Sequence, residues 1–128
     1  MKHRQLVFHG EYFKNYFDKQ RPKIRDKIIW TMKIIQEQEQ IPIDFFKHIT
    51  GEKGLYEIRT EYSGTICRIF CFFDRDNSIV LINGFTKKTQ KTPRVEIERA
   101  LKIKNAYDYN LQSLFIIWIY KLYGYINY

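Results

Sequence analysis

Leu55-Tyr56-Glu57-Ile58-Arg59-Thr60-Glu61-Tyr62-Ser63-Gly64-Thr65-Ile66-Cys67-Arg68-Ile69-Phe70-Cys71-Phe72-Phe73-Asp74 is the stretch that decides the fold. Two runs rich in β-branched and aromatic residues, Leu55 to Tyr62 and Ile66 to Asp74, flank the turn formers Ser63-Gly64. A connection that short joins only antiparallel neighbours. A third run, Ser78 to Phe85, follows across Asp74-Arg75-Asp76-Asn77, and the three form a meander. Period-two alternation sends Glu57 and Arg59 to one face and Tyr56 and Ile58 to the other. On the next strand Arg68 shares a face with Ile66 and Phe70. An arginine in an otherwise apolar strand needs a counter-charge, a wet groove or a ligand. An ion pair with Glu57 or Glu61 is one answer. A concave groove in which Arg59 and Arg68 hold an anion is the other, because guanidinium forks match phosphate oxygens. Arg59 lies near the strand end, where solvent competes.

The third run leads into Phe85-Thr86-Lys87-Lys88-Thr89-Gln90-Lys91-Thr92-Pro93-Arg94, which holds four cations and no acid. Such a loop can hold a phosphodiester backbone while Phe85 packs or stacks on a base. A solvated basic loop is the alternative, but this one leaves the same sheet that carries the two strand arginines. Arg94 to Lys104 then reads as a helix with Val95, Ala100 and Leu101 inward.

Upstream, Gln5 to His9 reads as a short strand stopped at Gly10. Tyr12, Phe13, Tyr16 and Phe17 give residues 11–18 the pattern of a short amphipathic helix. Pro22 opens a second helix with a stripe of Ile24, Ile28, Met32 and Ile35. Pro42 to Gly54 is expected to be a loop. The order β-α-α-β-β-β-α predicts an α+β domain whose antiparallel sheet is covered by two N-terminal helices and a C-terminal one.

The 128 residues suffice for one domain, and 45% hydrophobic content with ten Phe and ten Tyr suffices for a core. Lys and Arg number 22 against 14 Asp and Glu, a net charge of +8. Apart from Asp108 and Lys121, every charge lies within residues 1–104. That excess attracts polyanions, nucleic acid first and an anionic membrane surface second. No apolar run is long enough for a membrane span or a secretory signal, so a cytoplasmic protein with no membrane partner is expected. Cys67 and Cys71 are four residues apart on one strand, about 13 Å, too far to pair. Reduced, buried thiols are expected. His3, His9 and His48 show no ligand spacing, so neither a metal site nor a cofactor is expected.

Three segments, Leu55 to Arg59, Cys67 to Phe73 and Leu81 to Pro93, together with Glu96-Ile97-Glu98-Arg99-Ala100, resemble the HigB-like branch of the RelE/ParE toxin superfamily, including its phage-derived relatives. The resemblance runs over about residues 5–107 and is most specific from Gly84 to Pro93. It implies a RelE-like toxin domain at 1–107, with 108–128 as an apolar C-terminal extension. It also implies the toxin of a type II toxin–antitoxin pair, partnered by a helix-turn-helix antitoxin. Its expected activity is metal-independent cleavage of mRNA on the ribosome, by attack of the 2′-hydroxyl on the adjacent phosphate. In that chemistry Arg59 and Arg68 suit charge stabilisation, Lys87 and Lys88 anchoring or proton transfer, and Glu57 the base. Phe85, Gln90, Lys91 and Arg94 suit RNA binding. No histidine falls near the basic loop or the last helix, where some relatives have one. A ParE-like toxin that binds DNA gyrase and cleaves nothing is the rival.

The extension departs from the relatives' short charged ends. Leu111, Leu114, Phe115, Trp118 and Leu122 share one helical face, while Ile116, Ile117 and Ile119 read equally as strand. Such a stripe is expected to fold back on the sheet or to bury itself against another chain, as a homo-oligomer or with the antitoxin.

Overall fold

The computed structural model describes residues 3–88 and 91–126. These residues form a mixed α+β fold with five strands and three α-helices: β1 (Leu6–Phe8), α1 (Tyr12–Asp18), α2 (Pro22–Glu37), β2 (Phe46–His48), β3 (Tyr56–Tyr62), β4 (Thr65–Phe73), β5 (Ile79–Lys87) and α3 (Arg94–Ile126). The strands lie in the order β1-β5-β4-β3-β2.

The meander from β3 to β5 is antiparallel as expected, but the sheet as a whole is mixed. β1 runs parallel to β5, with Leu6 beside Ile79 and Phe8 beside Leu81. The chain crosses from β1 to the meander through α1 and α2, and that long crossover permits a parallel neighbour. A second correction concerns Pro42 to Gly54, which holds the edge strand β2 rather than loop alone. Phe46, Lys47 and His48 pair antiparallel with Ile58, Glu57 and Tyr56.

Each sheet face has its own core. On one, Ile58, Cys67, Ile69, Cys71, Ile79 and Leu81 pack against Phe13 of α1 and Ile24, Ile28, Met32 and Ile35 of α2. Pro22 stands at the start of α2, where its missing N–H is harmless. At the far end Arg4 donates to the carbonyls of Ile35, Gln38 and Glu39, placing a cation on the orphan acceptors of the helix C-terminus. On the other face Phe70, Phe72, Val80, Ile82 and Phe85 pack against Ile97, Ala100 and Ile103 of α3. Leu101, expected inward, is only half-buried there, and Val95 is exposed. Both thiols are free and buried, and burial pushes that of Cys71 well up.

The helix expected over Arg94 to Lys104 continues to Ile126. No glycine or proline interrupts it before Gly124, and an ion pair of 3.1 Å from Lys104 to Asp108 bridges the turn where it was expected to end. At 1.5 Å per residue it is about 50 Å long, and an unbroken helix cannot double back on itself. Leu114, Phe115, Ile116, Trp118 and Tyr120 are exposed, so the extension does not fold onto the sheet. Among the described residues no helix is long and apolar enough to cross a membrane.

Candidate functional site

The turn between β3 and β4 sets the site. Ser63 and Gly64 both take positive φ, 49° and 82°, the requirement of a two-residue hairpin turn whose twist matches the strands. Tyr62 therefore faces Thr65, and counting back puts Arg59 opposite Arg68 and Glu57 opposite Phe70. Across the next ladder Arg68 faces Phe85, and Ile66 faces Lys87. Alternation then places Glu57, Arg59, Arg68 and Lys87 on one sheet face. That is the face α3 covers only at its Phe70–Phe72 end.

The Glu57 carboxylate holds the centre. Its Oε1 is 3.7 Å from Nε of both Arg59 and Arg68, and the Thr92 hydroxyl donates to its Oε2 at 3.4 Å. Glu57 and Arg68 are buried, at 4% and 6% exposure, while Arg59 is half-buried. Arg68 Nη1 donates to the Cys67 carbonyl at 3.1 Å. The Nε–H of each arginine is buried and meets no acceptor at hydrogen-bond distance among the described residues. Burial lowers the proton affinity of the Arg68 guanidinium, Glu57 opposes that and Arg59 reinforces it. Burial also brings the Lys87 ammonium below the ordinary lysine value. Arg68, Arg59 and Lys47 press the same way, against Glu57.

Two clefts open here, and Arg59 lines both. The first, of 320 Å³, is lined by Glu57, Arg59, Lys87, Lys47, Lys91 and Thr92, among others. Glu57 is the one acid among its described lining residues. The second, of 340 Å³, includes Arg59 and Arg68.

Of the residues singled out from sequence, Glu57, Arg59, Arg68, Lys87 and Lys91 come together. Lys88 is exposed beyond the end of β5 and lines neither cleft. Arg94 turns away, ion-paired with Glu52 at 2.5 Å and Glu98 at 3.4 Å. Phe85 is corrected: it is 8% exposed and stacked on Phe70 at 5.5 Å, so its ring packs the core under the cleft and offers no face to a base. Gln90 lies outside the described residues.

Sequence reasoning missed Lys47, which β2 sets directly opposite Glu57. The signal was the alternating run Phe46-Lys47-His48, hidden between Pro42 and Gly51. It also missed that His48 reaches the rim of the first cleft. Its ring, however, stands edge-on to Tyr56 at 5.1 Å on the opposite sheet face.

The fold and site together define a small α+β protein whose half-open sheet face gathers cations around one carboxylate. A family model described as "Phage derived protein Gp49-like (DUF891)" matches residues 15–105. The chain belongs to this Gp49-like family, which is a RelE/HigB-like toxin family. A comparison with curated proteins found no match.

Proposed function

We propose that the chain is the toxin of a type II toxin–antitoxin pair and an endoribonuclease that cuts mRNA on the ribosome. The single observation that carries this reading is the pair of strand arginines. They stand opposite each other, share one carboxylate at 3.7 Å, and keep buried Nε–H donors without an acceptor. Directly opposed like charges cost stability, and so do buried donors left unmade. A phosphate seated between the guanidiniums would offset both costs.

The chemistry needs neither a metal nor a histidine. Glu57 takes the proton from a ribose 2′-hydroxyl, and the freed O2′ bonds to the adjacent phosphorus. Arg59 and Arg68 hold the charge that develops on the phosphorane oxygens. The P–O5′ bond breaks, and Lys87 gives its proton to the leaving oxygen. The products are a 2′,3′-cyclic phosphate and a 5′-hydroxyl. Lys47 and Lys91 hold the strand by its backbone. The ribosome supplies the substrate's alignment, which offsets an acid–base pair of modest strength. Family membership supports an antitoxin partner, and we assign it the helix-turn-helix type.

Inducing the protein in cells and mapping messenger 5′ ends tests the reading. Cuts in frame with codons are the expected result. Intact messages accompanied by DNA damage would instead establish the gyrase-binding rival.

A further inference from the structure

The second cleft lies where β2 stops and the edge of β3 is left open. The Arg59 amide donates to the Phe45 carbonyl at 2.8 Å, which ties residue 45 to that edge. Besides Arg59 and Arg68, the cleft is lined by Lys27 of α2, Phe45, Asp44 and Glu61. Lys27 and Trp30 are neighbours three apart on the helix surface. The Lys27 ammonium sits 4.0 Å from the centre of the Trp30 ring, and the indole meets the Phe45 ring edge-on at 5.5 Å. Trp30 is 46% exposed, although it is one of the largest apolar side chains in the molecule.

We infer that this cleft, which shares Arg59 and Arg68 with the cutting centre, continues it as a nucleotide subsite, where a base of single-stranded RNA stacks on the Trp30 ring beside the cleft while its phosphate lies between Lys27 and Arg59. The inference rests on the proposed RNA-cleaving reading and extends it along the strand. Arg59 lines both clefts, so a backbone leaving the first enters the second without losing cationic contact. The exposed indole offers a flat surface for any base once the Lys27 ammonium that lies over it turns to the phosphate, and stacking is sequence-tolerant. Asp44 and Glu61 repel phosphate but accept hydrogen bonds from exocyclic amines. They favour cytosine, adenine or guanine there over uracil.

The chain has two tryptophans, and Trp118→Phe in the tail leaves Trp30 as the only indole. Full-length protein carrying that change is titrated with a 2′-O-methyl RNA hexamer, which cannot be cut. The expected result is quenching of the indole fluorescence on binding. Trp30→Ala should weaken binding roughly 5- to 100-fold, as for one lost stack, and Trp30→Phe should restore most of it. Lys27→Ala should reduce the salt slope by about one. If the hexamer binds without quenching, and Trp30→Ala binds as well as its parent, the subsite is refuted and the cutting centre stands. If the hexamer does not bind and the parent protein does not cut messages, the RNA-cleaving reading fails and the subsite falls with it.

Discussion

Arg68 is the residue on which two explanations diverge most sharply. As a partner of Glu57 alone it would be a buried ion pair, and such pairs contribute little net stability. The 3.7 Å separation and the unmet Nε–H make it a poor one even by that standard. As a phosphate ligand it has a purpose that justifies the cost. Arg68→Ala should therefore reduce cleavage on the order of 10²–10³-fold, measured as the rate of cutting on translating ribosomes. A variant that cuts normally and merely melts at lower temperature would make Arg68 a structural residue. Lys87 carries a pH prediction. A general acid works only when protonated, so cleavage should persist below the folded-state pKa of Lys87 and fall as pH rises through it. Burial and the neighbouring cations put that value below the ordinary 10.5, so the alkaline limb should appear earlier than for a free lysine. Lys87→Met should lose both the rate and that limb in a pH–rate profile. The shared face of Glu57, Arg59 and Arg68 was legible from alternation, and their register was implicit in a two-residue turn. Phe85 was misread because alternation assigns a face and says nothing about what covers it.

At the scale of elements, β5 must hold Lys87 over Glu57 while it packs against α1. Gly84 permits this: a Cβ there would lie 2.5 Å from the Tyr16 ring, and the Tyr16 hydroxyl bonds to the Thr86 hydroxyl at 3.0 Å. Gly84→Ala should push Tyr16 outward and destabilise the protein by about 1–3 kcal/mol in a denaturant titration. Adding Tyr16→Ala should recover part of the loss, because it removes the ring that clashes. No recovery would show that the strand itself, rather than the contact, resists the change. The helices α1 and α2 and the strands of the meander were legible because their periodicities are long and clean. β2 was not, because three residues give too little alternation to stand out between turn formers. The parallel pairing of β1 was equally hidden, since nothing in Gln5 to His9 says which way its neighbour runs.

At the scale of the whole molecule, α3 runs on from the residues that pack the sheet into an arm whose apolar side chains are largely exposed. Tyr107 anchors α3 near the start of that arm: its hydroxyl donates to Asp74, its ring meets Phe72 at 5.1 Å, and burial with that acceptor pushes its pKa up to about 12. Periodicity left helix and strand equally open beyond that point, and only helix continuity from α3 decided between them. Because the large apolar side chains from Leu111 to Tyr123 are exposed and add nothing to either core cluster, removing residues 111–128 should leave the melting temperature and the RNA cleavage unchanged. A clear fall in melting temperature would show that the arm is part of the fold. The central claim is that the Glu57–Arg59–Arg68 cluster cuts RNA. Its most direct test is the chemistry of the ends that purified protein leaves on a message engaged by translating ribosomes. The account predicts a 2′,3′-cyclic phosphate and a 5′-hydroxyl at each cut, with cutting lost in Arg68→Ala. An intact message, or cutting at full rate by that variant, would contradict it.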